Sequence, residues 1–222
     1  MILIFDLDET LYNENLFVKS GFKAVANFLE KKYKFKQVNT LKFLSKTYNK
    51  YGRKNIFDKL LRKKNIYNKY TLTKIVKVYR SHKPKITLNK STYLFLMNLS
   101  KNFNLYLVTD GNKIVQKNKI KALKISNFFK KIYITHQYGV KYSKPSLFCF
   151  NKIKNLENCL WRDLVYIGDD PNKDFINLNK KGCTTIRIMK GKFKYAKVNK
   201  RQDGIYTINQ LKDLLRLKKI FI

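Results

Sequence analysis

Short apolar runs recur along this chain, and three of them end in acids. Ile2–Phe5 runs into Asp6 and Asp8, Leu105–Val108 into Thr109-Asp110-Gly111, and Leu164–Ile167 into Gly168-Asp169-Asp170. Ile132–Thr135 is a run of the same kind, and Thr184–Ile188 reads as a fifth strand. Continuous apolar runs of this length read as strands buried on both faces. Helical patterns separate them at Ser91–Ser100, Lys113–Leu123, Pro145–Lys154 and Pro171–Lys180, and Ile208–Leu217 reads as a terminal helix. Such alternation predicts an α/β fold with a doubly wound parallel sheet. Parallel strands of one sheet end at a shared edge, which is where open α/β sheets bind ligands. The acids and Thr109 are therefore expected to meet there.

Residues 14–85 break the rhythm. Phe17–Glu30, Leu41–Tyr51, Ile56–Lys64 and Leu72–Tyr79 all read as helices with no strand between them. In the first, Phe17, Val18, Phe22, Val25, Ala26 and Leu29 recur at helical spacing. This predicts a core domain of residues 1–13 and 86–222, with a helical domain of residues 14–85 inserted after the first strand. The insertion is expected over the carboxyl edge of the sheet.

The first pair of acids carries a chemical demand. Strand residues two apart point the same way. If the strand persists past Phe5, Asp6 and Asp8 converge on one spot. Two carboxylates so placed repel unless a cation lies between them. A metal site, an acid/base pair, or both are implied. The acids are scarce as well as clustered: of 14 in the chain, seven lie at positions 6, 8, 9, 110, 169, 170 and 174.

The formal charge of +35 raises the question of a polyanionic partner. Of the 49 basic residues, 42 are Lys, and they are spread along the whole chain among Asn, Ile and Tyr. That distribution reads as a compositional bias rather than a targeted patch, so nucleic acid is not the expected partner. Cys149, Cys159 and Cys183 lack metal-type spacing and are expected as reduced thiols. The apolar start has no basic residues before it and stops at Asp6, unlike a signal peptide. No stretch is long and apolar enough for a membrane span. The expected location is the cytoplasm, and nothing indicates an oligomeric state.

Four motifs in order carry a resemblance over nearly the whole chain. Asp6-Leu7-Asp8-Glu9-Thr10 fits DxDx[TV], Thr109 ends the next strand, Lys144 precedes Pro145, and Gly168-Asp169 with Asp174 fits GDxxxxD. The chain resembles the haloacid dehalogenase-like (HAD) superfamily, in the subclass with a helical cap after the first motif. The resemblance implies a HAD-like Rossmannoid core and a Mg2+-dependent phosphatase. It implies Asp6 as nucleophile, forming an aspartyl phosphate, and Asp8 as the acid and then the base. It places Mg2+ on Asp6, the Asp8 backbone carbonyl and Asp169. Thr109 and the backbone N–H groups of Asp110 and Gly111 would bind phosphate oxygens. Lys144 would neutralise nucleophile and phosphate, with Asp174 anchoring Lys144 or a metal-bound water. Dehalogenases of this superfamily lack an acid at the position of Asp8, because halide needs no proton. The expected substrate is a small phosphorylated metabolite, most simply a sugar phosphate. The alternatives are a nucleotide or nucleic-acid-end phosphatase, a phosphotransferase or mutase, and a binding module that kept the fold.

Several neighbours have plainer readings. Thr10 is expected to orient Asp8 through a local hydrogen bond. Asp170 before Pro171 reads as a helix N-cap. Asp110 reads as a turn residue whose backbone matters, and Gly111 as a position with φ > 0. His82 and His136 pair with no nucleophile. Glu14 and Lys19 fall near the start of the helical insertion, from where they could face a substrate.

Overall fold

In a computed structural model, which describes residues 1–217, the chain divides into two compact units. One is Met1–Glu14 together with the chain from Thr87 on; the other is Asn15–Ile86.

The first unit is built on strand β1 (Ile2–Phe5), all four residues of which are buried. β2 (Asn104–Thr109) and β4 (Leu164–Gly168) flank it in parallel, and β3 (Lys131–Ile134), β5 (Thr184–Ile188) and β6 (Tyr206–Ile208) extend the sheet. The order is β3-β2-β1-β4-β5-β6, every pair parallel. Ile2 and Ile4 pack on one face with Tyr106, Val108, Leu164 and Tyr166. By strand alternation Leu3 and Phe5 occupy the other face, where Phe5 meets the edge of Phe129 at 6.4 Å between centroids. Each such burial is worth about 1.5–3 kcal/mol, which is why a four-residue strand holds the middle of the sheet.

The second unit contains four helices: α1 (Glu14–Tyr33), which starts one residue before it, α2 (Gln37–Tyr51), α3 (Ile56–Lys63) and α4 (Lys69–Ser81). Val18, Phe22, Val25 and Leu29 of α1 form a core with Leu44, Ile56, Phe57, Leu60, Leu61 and Ile75. Gly21 permits this packing, since a Cβ there would lie 2.3 Å from the Tyr79 ring. Asn68 caps α4 by accepting from the Thr71 N–H at 2.8 Å. Among the described residues, no helix is long and apolar enough to cross a membrane.

The remaining helices are α5 (Lys90–Asn102), α6 (Lys113–Leu123), α7 (Phe148–Leu156) and α8 (Ile176–Lys180). The Asn89 side chain caps α5 and Asn112 caps α6. α7 and α8 begin later than the pattern predicts. Pro171 opens a turn rather than a helix, because the Asp174 carboxylate accepts from the Asp170 N–H and pulls the segment inward. Asp170 therefore caps no helix; its Oδ1 accepts from the Asn172 N–H at 3.1 Å in an Asx turn. The expected terminal helix is instead β6 followed by a 3-10 helix, Leu211–Arg216. Its buried residues, Leu211 and Leu214, stand three apart, the repeat of a 3-10 helix.

Candidate active site

Asp6 leaves β1 with its N–H still bonded to Ile167 O at 2.9 Å, so it remains tied to the carboxyl edge of the sheet. Its carboxylate is buried and lies 3.0 Å from Lys144 Nζ. Lys144 Nζ also meets Asp174 Oδ1 at 2.7 Å and donates to the Tyr166 hydroxyl at 2.8 Å. Three partners match the three protons of an ammonium. Burial alone would lower the Lys144 pKa, but Asp174 and Asp6 outweigh it and hold the charge well above the ordinary range.

Asp174 is seated by a glycine. A Cβ on Gly168 would lie 2.4 Å from Asp174 Oδ2, so only glycine lets the carboxylate reach under the end of β4. Asp174 Oδ1 accepts from Tyr166 at 3.1 Å and Oδ2 from the Asp170 N–H at 2.9 Å. Burial would raise its pKa, but Lys144 and Lys173 lower it below the ordinary value.

Asp6, Asp169 and Asp174 each place a carboxylate oxygen within 4.8 Å of the others, and all three are buried. One lysine does not compensate them. Burial, with Asp6 and Asp174 nearby, pushes Asp169 up to about 9. Asp6 rises to about 6, chiefly through burial, against the pull of Lys144. With both Asp174 oxygens already engaged, Asp6 and Asp169 remain as hard oxygen donors short of positive charge. That donor chemistry fits a small divalent cation.

Asp8 is not in this cluster. β1 ends at Phe5, Glu9 turns the chain with φ of 56°, and an isolated bridge links Asp8 to Tyr12. The alternation that would bring Asp8 beside Asp6 therefore stops short. Among the described residues, the two carboxylates pair with different lysines. Lys119 Nζ donates to both Asp8 oxygens at 2.8 Å, Tyr12 donates to Oδ1 at 2.6 Å and Gln116 to Oδ2 at 3.1 Å. Burial would raise the Asp8 pKa, yet Lys119, Tyr12 and Gln116 together hold it below the ordinary value. Thr10 does not orient Asp8. It is fully buried, and its Oγ1 finds no hydrogen-bond partner among the described residues; Tyr12 fills the part expected of it.

The end of β2 completes the edge. Thr109 Oγ1 accepts from Gln116 Nε2 at 2.6 Å. Gly111 has φ of 132°, in the region expected for it. Asp110 does more than turn the chain: its Oδ1 accepts from Thr135 Oγ1 at 2.8 Å and from the Lys144 N–H at 3.1 Å. One side chain thus ties the ends of β2 and β3 to the lysine. Lys173 Nζ stands 3.6 Å from Asp110 and 3.8 Å from Asp170, adding a second cation near the acids.

Lys119, Gln116, Tyr12, Tyr166 and Lys173 escape a reading of motifs. Only the first two leave a signal. The buried residues of α6 are Gln116, Lys119, Ile120 and Leu123, a stripe at i, i+3, i+4 and i+7 whose first half is polar. His82 belongs to the helical unit, where its Nδ1 lies 2.7 Å from Tyr79 O. The three cysteines are free.

The sequence pattern of the family described as haloacid dehalogenase-like hydrolase matches residues 3–188. The glyceraldehyde 3-phosphate phosphatase of Methanocaldococcus jannaschii is 30% identical over 228 residues, covering 98% of this chain and 96% of the relative. The enzyme of the same name from Pyrococcus furiosus is 26% identical, covering 97% and 92%. Among solved structures, the HAD-hydrolase YfnB from Bacillus subtilis bound to magnesium superposes with a TM-score of 0.68 at 18% identity, covering 100% of this chain and 98% of that one. The HAD phosphatase from Thermococcus onnurineus gives 0.62 at 20% identity, covering 98% and 97%.

Proposed function

The chain belongs to the haloacid dehalogenase-like hydrolases, and from that premise we propose that it is a Mg2+-dependent phosphatase of a small sugar phosphate. The observation that carries this reading is the Lys144 ammonium held between Asp6 and Asp174 beside Asp169. An attacking carboxylate so placed is buried, oriented and only partly neutralised.

Asp6 attacks phosphorus and the bond to the leaving oxygen breaks, giving an aspartyl phosphate. Asp8, ionised in the free protein, takes up a proton as the phosphate dianion arrives beside it, passes it to the leaving oxygen, and then takes one from the water that hydrolyses the intermediate. Attack by an anion on an anion is opposed by roughly 4 kcal/mol per unit pair at about 4 Å and an effective dielectric of about 20. Lys144 offsets part of this. Asp6, Asp169 and the Asp8 backbone carbonyl would hold the Mg2+, whose charge supplies the rest. Thr109 and the N–H groups of Asp110 and Gly111 bind the phosphate oxygens, and Asp174 fixes Lys144.

The helical unit is read as the cap that selects the substrate. The relatives named for glyceraldehyde 3-phosphate favour a three-carbon sugar phosphate. The test is phosphate release from glyceraldehyde 3-phosphate and a panel of other phosphorylated metabolites with Mg2+. Turnover lost in Asp6→Asn is the expected result. No release from any member of the panel, or undiminished turnover by Asp6→Asn, would overturn the reading.

A further inference from the structure

We propose that Lys119 and Gln116 of α6 are positioning residues that hold the Asp8 carboxylate for proton transfer at the leaving oxygen. The proposal rests on the reading of Asp8 as the acid and base.

Both residues stand where a helix ordinarily places aliphatic side chains. Gln116 is 1% exposed and Lys119 2%. An ammonium taken out of water costs several kcal/mol before pairing, and an aliphatic residue would fill the same volume without that cost. What the polar pair adds is control of Asp8. An aspartate on a turn beyond the end of its strand is free to rotate about two side-chain bonds. Lys119 contacts both oxygens at 2.8 Å, which fixes the carboxylate plane. Gln116 touches Oδ2 at 3.1 Å and, through the same nitrogen, Thr109 Oγ1 at 2.6 Å. Tyr12 closes the set with its 2.6 Å bond to Oδ1. The proton-transfer group and the phosphate-binding end of β2 are thereby built on one helix. Glu14 Oε1, 3.4 Å from Lys119 Nζ, gives the ammonium a second carboxylate. Placement at this precision matters, because a misplaced reacting group by about 1 Å costs on the order of 100-fold in rate.

A positioning role for an acid has a signature that a folding role lacks. An alkyl alcohol leaves phosphorus only with a proton, whereas p-nitrophenolate leaves without one. The experiment compares kcat/KM for glycerol 3-phosphate and p-nitrophenyl phosphate in wild type, Asp8→Asn and Lys119→Met. The expected result for Lys119→Met is a loss of about 100-fold with the alkyl phosphate and less than about five-fold with the aryl phosphate. Asp8→Asn should show the same asymmetry, at least as large. If Asp8→Asn slows both alike, the reading of Asp8 as the acid fails and the positioning role falls with it, while the phosphatase reading stands on the turnover of wild type. If Asp8→Asn is asymmetric while Lys119→Met slows both equally or slows neither, the positioning role is overturned. Should Lys119→Met fail to fold, Gln116→Met is measured in its place, with the same asymmetry expected and an equal loss or none overturning the proposal.

Discussion

Lys144 Nζ lies closer to Asp174, at 2.7 Å, than to Asp6, at 3.0 Å. The lysine is therefore anchored from β4's side of the sheet and presented to Asp6. Asp174→Asn removes the anchor and leaves a buried ammonium half compensated. Breaking such a pair costs about 3–5 kcal/mol, to be read from urea denaturation, together with a loss of turnover.

Gly168→Ala tests the seat of that anchor. The new Cβ would fall 2.4 Å from Asp174 Oδ2, so the carboxylate must move. Overpacking of this sort costs about 1–3 kcal/mol. Turnover should fall with it, because Lys144 loses its register. A variant as stable and as active as wild type would contradict the geometry.

Asp169 sets a pH dependence with a definite sign. Its folded pKa of about 9 stands above the ordinary 3.8. Without metal, the folded protein then holds a proton that the unfolded chain has released between these values. Stability of the metal-free protein should fall as pH rises through that window. A divalent cation favours the ionised form, so the rise in Tm on adding Mg2+ should be larger at about pH 8 than at about pH 6. Asp169→Asn should raise the metal-free Tm by about 3 °C or more and abolish the response to Mg2+.

Thr10→Val removes a buried hydroxyl that has no hydrogen-bond partner among the described residues. An unsatisfied buried polar group costs about 1–3 kcal/mol, and valine keeps the shape. The variant should unfold at higher urea concentration than wild type. A destabilised Thr10→Val would mean that the hydroxyl has found a partner.

The charge of +35, read as compositional, predicts weak binding to a short DNA duplex at physiological salt, lost steeply as salt rises. Fluorescence anisotropy over a salt series checks this. Tight, salt-resistant, sequence-selective binding would show that the lysines serve a polyanionic partner.

The sheet and its functional edge are legible in the chain because their causes are local. Ile2–Phe5, Leu105–Val108 and Leu164–Ile167 read as strands from apolar continuity alone, and the structure extends two of them by only a residue or two. Once strands are parallel, Asp6, Thr109 and Asp169 share an edge by topology. Local pattern gives way where a distant side chain competes with it. The Pro171 segment looks helical until Asp174 is drawn to Lys144, and Thr10 looks like the partner of Asp8 until Tyr12 takes the bond.

The pairing of acids with lysines was beyond sequence. Lys119 and Lys144 are two among 42 lysines, and Lys119 reaches Asp8 across 111 positions. Periodicity is a property of neighbouring residues, so the chain alone determined an α/β sheet with acids at its edge. Desolvation and ion pairing depend on what surrounds a group in space. Only the folded packing decided that the Asp6 and Asp8 carboxylates would each pair with a separate lysine, one shared with Asp174 and the other delivered by α6.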